Sequence, residues 1–219
     1  IRVVHAAARD LKRKRNCPTE GIRLTADPLA VVNDPEVEVV VELMGGYEPA
    51  RTLVLQAIEN GKHVVTANKA MIAAHGNEIF AAAQKKGVMV AFEAAVAGGI
   101  PIIKTIREGL AGNRIEWLAG IINGTSNFIL TEMRDRGADF ADVLAEAQRL
   151  GYAEADPTFD IEGIDAAHKL TILSAIAFGI PMQFDRVYTE GISKLTREDV
   201  QYAEELGYRI KLLGLTRRT

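Results

Sequence analysis

This sequence has a single cysteine and no long apolar run, which argues against a disulfide-stabilised protein and against a membrane-spanning one. Cys17 is the single cysteine among 219 residues, so the chain can form no internal disulfide and no cysteine-based metal site. A reducing compartment, the cytoplasm, is therefore expected. No apolar run approaches the roughly 20 residues that a membrane-spanning helix needs, and no segment has the pattern of a signal peptide.

The net charge and the spacing of the histidines argue against binding to nucleic acid, to a membrane surface and to a histidine-held metal. The net charge of -3 gives no general attraction to nucleic acid or to an anionic membrane surface. With 48% hydrophobic and 25% charged residues, the composition is that of an ordinary globular protein. Metal-ligand spacing is lacking among the four histidines, which are His5, His63, His75 and His168.

The first hundred residues alternate between two hydrophobic patterns, which predicts an α/β fold. Residues 49–61 and 69–87 have helical spacing. Alternating strands and helices predict a Rossmann-like, doubly wound sheet over residues 1–100. Short valine-rich runs, typical of parallel strands buried on both faces, lie at 1–8, 37–44, 62–68 and 88–94.

A different pattern begins near residue 100, where helical segments surround a mixed apolar and polar stretch. This change predicts a second domain of the α+β class over residues 101–219. The chain starts inside an apparent strand without an initiator methionine, so we expect a piece of a longer protein. The predicted helices of the second domain cover 101–111, 139–150, 164–179 and 196–207.

The Gly-rich loop that follows the first strand of a dinucleotide-binding fold is missing from the sequence. If residues 1–8 form the second strand of such a fold, Arg9 and Asp10 stand where the adenosine ribose is read. An acid there favours NAD, whereas arginines accommodate the 2′-phosphate of NADP. The basic run at 12–15 slightly favours NADP, and a solvated helix start is an equally simple interpretation.

Other unusual residues follow the predicted strands, where ligands bind in parallel α/β sheets. Gly45 and Gly46 form either a plain turn or a place where the backbone approaches a flat cofactor. Lys69 opens a helix, where its charge opposes the helix dipole, so a functional role is favoured over a plain surface position. Glu93, set among alanines and valines, is either a helix cap or one ligand of a hard-cation site completed by carbonyl oxygens.

The most distinctive stretch, residues 151–170, crowds five carboxylates ahead of Lys169. Asp165 and Lys169 are four residues apart and face the same way on the predicted helix. Since the rest of that helix is apolar, its first turn is expected to meet a cleft, where an oriented lysine is a plausible proton donor. Glu154 and Asp160 remain to bind a cationic amine, although a solvated acidic loop is the simpler alternative.

Five motifs occur in the order and at the spacing found in one enzyme family: ELMGG, VVTANKA, FEAAVAGGIPII, GIINGTSNFIL and GYAEADPTFDIEGIDAAHK. Through them the chain resembles homoserine dehydrogenase over its whole length. The resemblance implies NAD(P)-dependent interconversion of L-aspartate 4-semialdehyde and L-homoserine, in the route to threonine, methionine and isoleucine. It also implies a cofactor domain, then a substrate-binding and dimerisation domain, in a homodimer or homotetramer.

The resemblance also implies roles for individual residues, with NADP or NAD and a monovalent cation, Na⁺ or K⁺, as cofactors. Lys169 is the implied proton donor beside Asp165, with Lys69 as the alternative donor between cofactor and substrate. The substrate-binding residues are Glu154, Asp160, Gly151 and Thr125. The cofactor-binding residues are Arg9, Gly45, Gly46 and Lys69. The cation ligands are Glu93 and the carbonyls of Val96, Gly98 and Ile100.

Two departures from the family pattern leave other functions to be tested. The N-terminal Gly-rich loop and a C-terminal Gly-rich segment are missing, so the chain by itself is expected to bind cofactor poorly. One alternative is a different semialdehyde or oxo-acid reductase built on the same sheet. The other is an amino-acid-binding or regulatory module that has lost its cofactor loop, and that would bind homoserine without binding NADP.

Overall fold

The computed structural model describes residues 1–218, which form two compact units that divide between Ile102 and Ile103. Among these residues, no helix is long and apolar enough to cross a membrane. The predicted α/β class with parallel strands is confirmed.

The first unit alternates strands and helices around two small parallel sheets. In one sheet β1 pairs with β2, and in the other the strand order is β3-β4-β5. The elements are β1 His5–Ala7, β2 Arg23–Thr25, α1 Pro28–Val32, β3 Val39–Glu42, α2 Ala50–Glu59, β4 His63–Thr66, α3 Lys69–Lys86, β5 Val90–Ala91 and a 3₁₀ turn Glu93–Ala95. The sequence did not reveal β2 or α1, because both are too short to show a period.

Local signals explain where α2 and α3 begin and end. Pro49 is the residue before α2. Proline is tolerated at a helix start because the N–H groups of the first turn have no partner within the helix. The Asn68 side chain caps α3 by accepting a hydrogen bond from the N–H of Met71 at 3.1 Å. Gly87 ends α3 with a φ of 68°, a left-handed conformation that glycine adopts without strain.

The three-stranded sheet corrects one expectation, that of strands buried on both faces. Burial alternates along β3 and β4, so Val40 and Val64 are buried whereas Val41 and Val65 are exposed. The physical reason is that α2 packs on β3 and β4 and α3 packs on α2, which covers one face. The described residues leave the other face to solvent.

The second unit is mainly helical, with one antiparallel strand pair, β6 with β7. Helix α4, Ile102–Lys104, begins at the last residue of the first unit. The elements that follow are a π-helical turn Thr105–Gly109, β6 Trp117–Gly120, α5 Gly124–Arg136, α6 Phe140–Leu150, α7 Thr158–Ile161, α8 Ile164–Phe178, a 3₁₀ turn Phe184–Arg186, α9 Arg197–Glu205 and β7 Gly214–Arg217. Helices α5, α6 and α9 enclose an apolar cluster that includes Ile129, Leu130, Met133, Val143 and Val200.

The segment after the second 3₁₀ turn passes very close to the α7–α8 connection. The N–H of Ile192 donates to the carbonyl of Ile161 at 2.7 Å. A Cβ placed on Gly191 would lie 2.5 Å from that carbonyl oxygen and 2.6 Å from Glu162 Cα. Only glycine fits this approach without a backbone shift.

Gly191→Ala is therefore expected to lower the free energy of unfolding by about 1–3 kcal/mol, the usual cost of overpacking. Gly112→Ala is the matched control, because a Cβ there would meet no atom within 4 Å. Urea unfolding of both variants measures the difference. Equal midpoints would show that the Gly191 contact relaxes freely.

Asp34 joins the two-stranded sheet to the turn after α1. Its carboxylate accepts from His5 Nδ1 at 2.7 Å, from the Arg23 guanidinium, and from the N–H of Glu36 at 2.9 Å. The Glu36 N–H, then His5 and Arg23, hold the pKa of Asp34 below its ordinary value of 3.8, against the opposing effect of desolvation.

This lowered pKa predicts an acid-dependent loss of stability. A carboxyl with a depressed native pKa stabilises the fold above its unfolded pKa, and the contribution is lost as the pH falls through the native value. Between pH 6 and pH 3, wild-type protein should therefore lose more unfolding free energy than Asp34→Asn. Denaturant titrations at the two pH values test this, and equal losses would contradict it.

Candidate active site

Lys169 lies on α8 one turn after Asp165, and their side chains form an ion pair. Lys169 Nζ donates to Asp165 Oδ2 at 2.5 Å and to the main-chain carbonyl of Ile122 at 2.7 Å. The side chains are 19% and 9% exposed, respectively, so solvent screens the pair weakly. An ammonium has three N–H bonds, and acceptors among residues 1–218 use two of them. The third is available to a bound molecule.

Asp160 belongs to the same cluster, although it lies on α7. Asn123 Nδ2 donates two hydrogen bonds, one to Asp160 Oδ1 at 2.7 Å and one to Asp165 Oδ2 at 2.9 Å. The hydroxyl of Ser126 donates to the Asp160 carbonyl oxygen at 2.8 Å, which ties α7 to α5. Within residues 1–218, Asp160 Oδ2 accepts no hydrogen bond, so it can receive one from a ligand.

The loop between α6 and α7 carries the remaining acidic residues. Glu154 is exposed, and its main-chain carbonyl accepts from Gln148 Nε2 at 3.1 Å. The Thr125 hydroxyl donates to the carbonyl of Tyr152 at 2.8 Å, so this side chain anchors the loop. Asp156 instead accepts hydrogen bonds from the hydroxyl and the main-chain N–H of Thr158, the first residue of α7, and these hydrogen bonds lower its pKa.

Gly151 ends α6 with a φ of 79°, and a Cβ there would meet no atom within 4 Å. The second unit therefore brings Asp160, Asp165 and Lys169 into one hydrogen-bonded group, with Thr125 fixing the neighbouring loop. An ammonium beside carboxylate oxygens that face a ligand can help to bind an amine and can deliver a proton to an oxygen anion.

In the first unit, a buried network positions the Gly45–Gly46 turn. Glu42 is 3% exposed and accepts from the N–H of Met44 at 2.6 Å, the N–H of Gly45 at 3.3 Å and the Thr66 hydroxyl at 2.6 Å. Asn68 Nδ2 donates to the carbonyl of Gly46 at 2.7 Å. The ends of β3 and β4 are thus locked together.

Lys69 and the two glycines, Gly45 and Gly46, lie directly beside this network. Lys69 is the first residue of α3, directly after the Asn68 cap, and is partly buried. Gly45 and Gly46 have φ values of 76° and 72°, and a Cβ placed on either would meet no atom within 4 Å. The turn offers open backbone that a flat ring can approach, which fits a nicotinamide-type cofactor.

The residues after β1 fold back on themselves. Asp10 accepts from the N–H groups of Lys12 and Arg13, and the Arg15 guanidinium donates to the carbonyls of Asp10, Leu11 and Arg13. Arg15 is therefore used to close its own loop. Arg9 is exposed beside this loop.

Glu93 begins a 3₁₀ turn and is followed by an unusual backbone. Ala97 has a φ of 48°, which is rare for a residue with a side chain, and the N–H of Ile100 closes the turn on the Ala97 carbonyl at 2.8 Å. Val96 is buried, whereas Gly98 and Ile100 are exposed. Residues 1–218 contain no cluster of three His, Cys, Asp or Glu side chains that would hold a metal.

The sequence did not single out three residues that organise the Asp160–Asp165–Lys169 group and the network at the Gly45–Gly46 turn. Asn123 was one of several polar residues in a possible turn, and nothing in the sequence marked its amide as a bridge. Glu42 and Thr66 each end a valine-rich run, and a polar residue at that place was the available signal. Their hydrogen bonds join different strands, so only the fold reveals them.

A parallel α/β unit with a glycine turn at its strand ends, followed by a mainly helical unit, is an arrangement typical of the class of dinucleotide-binding enzymes. Family models agree with this class. Residues 1–93 match the homoserine dehydrogenase NAD-binding domain, and residues 101–217 match the homoserine dehydrogenase domain. The chain therefore belongs to the homoserine dehydrogenase family.

Individual relatives support the same assignment. The homoserine dehydrogenase of Pseudomonas aeruginosa is 71% identical over 219 residues, which is 100% of this chain and 50% of the relative. That of Neisseria gonorrhoeae is 65% identical over 208 residues, 95% of this chain and 47% of the relative. The chain thus spans about half the length of the curated relatives it matches.

Solved structures give the same result for the fold. A homoserine dehydrogenase from Thiobacillus denitrificans has a TM-score of 0.94 at 76% identity, covering 100% of this chain and 51% of the other. A hyperthermophilic archaeal homoserine dehydrogenase in complex with NADPH has a TM-score of 0.70 at 32% identity, covering 77% and 52%. The fold of this chain is therefore that of the family.

Proposed function

We propose that the protein to which this chain belongs is an NAD(P)-dependent homoserine dehydrogenase that interconverts L-aspartate 4-semialdehyde and L-homoserine. The observation that carries the proposal is the Lys169 ammonium, which is held by Asp165 and Ile122 and keeps one N–H bond for a ligand. Family membership supports the same activity.

Lys169 is the proposed proton donor in the reduction of the semialdehyde. The bound reduced coenzyme supplies the hydride. As the carbonyl carbon is reduced, its oxygen gains negative charge, and the ammonium stabilises that charge and transfers a proton to it. Asp165 keeps the ammonium in place by accepting one of its hydrogen bonds. In homoserine oxidation the proton moves in the opposite direction, from the substrate hydroxyl to the Lys169 nitrogen.

Asp160 and Glu154 are the proposed partners of the substrate's amino group. Asp160 Oδ2 and the exposed Glu154 carboxylate accept no hydrogen bond within residues 1–218, so both suit a cation. Gly151 and Thr125 are proposed to line the same pocket beside the loop that carries Glu154.

The Gly45–Gly46 turn, Lys69 and Arg9 are the proposed coenzyme contacts of the first unit. The open backbone above the two glycines suits a nicotinamide ring, and the bound NADPH of the archaeal relative supports a coenzyme of this kind. Arg9 and the basic loop after it favour NADP over NAD, because a guanidinium binds a 2′-phosphate well.

Initial rates of homoserine-dependent reduction of NADP⁺ and of NAD⁺ test the proposed function in the full-length protein. Reduction of at least one coenzyme, and faster reduction of NADP⁺, are the expected results. Homoserine binding by a folded protein that reduces neither coenzyme would instead indicate an amino-acid-binding module. Activity only on another semialdehyde would indicate a related reductase.

A monovalent cation is a further proposed component, held by Glu93 and the carbonyls of Val96, Gly98 and Ile100. One carboxylate with neighbouring main-chain carbonyls is a hard-oxygen donor set, and the left-handed Ala97, with a φ of 48°, is a strained backbone position of the kind found at functional sites. Replacing K⁺ and Na⁺ by a bulky organic cation should lower wild-type activity, and Glu93→Gln should abolish that cation dependence. Equal wild-type rates in all salts would contradict the site.

A cytoplasmic homodimer or homotetramer is the proposed state of the full-length protein. Exposed apolar side chains on and beside β6 and β7, namely Trp117, Ile121 and Leu215, suit contact with a second copy. Cys17 is exposed and free, which suits a reducing compartment. Sedimentation velocity of the full-length protein decides the oligomeric state, and a monomer would contradict the proposal.

A further inference from the structure

Asn123 lies at the centre of the group formed by Asp160, Asp165 and Lys169, yet it belongs to a different element. It is 3% exposed and precedes the first residue of α5. Its Nδ2 amide donates to Asp160 at 2.7 Å and to Asp165 at 2.9 Å. Both hydrogens of the amide nitrogen are therefore used.

The orientation of the Asn123 amide is fixed at its other end. Its Oδ1 accepts from the N–H of Ser126 at 2.8 Å, which caps α5. A carboxylate can only accept and a main-chain N–H can only donate, so a flipped amide would lose all three hydrogen bonds. One side chain thus links the start of α5 to α7 and to α8.

The Asn123 amide joins two negatively charged side chains, those of Asp160 and Asp165. Asp160 and Asp165 repel one another, and a donor shared between them offsets that repulsion and fixes the direction of each carboxylate. The Asp165 oxygen that accepts from Asn123, Oδ2, also accepts from Lys169. The position of the lysine therefore depends on Asn123 through Asp165.

We propose that Asn123 is a positioning residue for the reaction, which holds Asp165 and, through it, the Lys169 ammonium in the reactive place. The proposal rests on the proposed function, because it assigns a catalytic consequence to the Lys169 position. It requires that removing the bridge lower kcat while leaving coenzyme binding unchanged.

Asn123→Ser separates the bridge from the helix cap. Serine caps a helix about as well as asparagine, so α5 stays capped while both hydrogen bonds to the carboxylates are lost. In the full-length protein we expect kcat to fall about 10–100-fold, the usual cost of a small misplacement of a catalytic group, with an unchanged KM for NADP⁺. Asn123→Asp also caps α5 but adds a third negative charge, and a larger fall in kcat is expected.

Thr196→Ala is the matched control. It removes the capping box of α9 in the same unit and should lower stability while leaving kcat at the wild-type value. If Asn123→Ser fails to fold, the proposal is tested with Asn123→Asp. Wild-type kcat in the folded variant would overturn the proposal.

Acetylation of Lys169, followed by mass spectrometry of its peptide, gives a reading that needs no enzyme activity. Loss of the bridge should release the ammonium, so Asn123→Ser should be acetylated several-fold faster than wild type at Lys169 and at the same rate at Lys194. Unchanged acetylation at Lys169 would overturn the positioning role. A wild-type protein that reduces neither coenzyme would refute the proposed function, and the acetylation result would then still decide whether Asn123 positions the lysine.

Discussion

Lys169→Ala is expected to lower kcat for homoserine oxidation about 10²–10⁴-fold, the range that a positioned general acid or base contributes. The side chain removed is the ammonium that Asp165 and the Ile122 carbonyl hold within the group. Coenzyme affinity should stay near that of wild type, because the residues proposed to bind it lie in the first unit. Steady-state kinetics of the full-length protein measure both quantities.

Two further substitutions separate proton transfer from positive charge. Lys169→Arg keeps the charge, but a guanidinium does not release its proton in a protein, so this variant should be nearly as inactive as Lys169→Ala. Lys194→Ala, at an exposed lysine of the same unit, is the control and should have wild-type kcat. Near-normal turnover of Lys169→Ala together with an inactive Lys69→Ala would transfer the role to Lys69.

Asp165→Leu is expected to lower the free energy of unfolding by roughly 2–4 kcal/mol. Removing one partner of a sheltered ion pair leaves the other charge uncompensated, at a cost near 3–5 kcal/mol for a fully buried pair. The Lys169 side chain is 19% exposed and keeps the Ile122 carbonyl as an acceptor, so the expected cost is somewhat smaller.

The double variant Asp165→Leu with Lys169→Met tests that explanation. With both charges removed, no uncompensated ammonium remains, so the double variant should be more stable than Asp165→Leu alone. Chemical denaturation of the single and double variants gives the coupling free energy. Simple additivity of the two single effects would show that the pair contributes nothing as a pair.

The sequence was sufficient to predict those parts of the fold that depend on local pattern. Helices α2, α3, α6 and α8 lie within a residue or two of the predicted ranges, since each combines an apolar face with a proline, asparagine or glycine at its ends. Strands β1, β3, β4 and β5 were predicted in the right places but too long. Whether a strand is buried on one face or two depends on which helices cover it, and valine content does not specify that.

In the candidate site too, contacts within one helix could be predicted from the sequence, whereas contacts between distant segments could not. The Asp165–Lys169 contact is a one-turn relation on one helix, so spacing alone predicted it. Asn123 reaches Asp165 across 42 residues, and Thr66 reaches Glu42 across 24, so no local pattern indicates either hydrogen bond.

The most direct test of the proposed function is a crystal structure of the full-length protein with L-homoserine bound. The proposed roles predict the hydroxyl oxygen of homoserine within hydrogen-bond distance of Lys169 Nζ, and the amino group against the carboxylates of Asp160 and Glu154. Homoserine bound with its hydroxyl directed away from Lys169, or bound outside this group of residues, would contradict them.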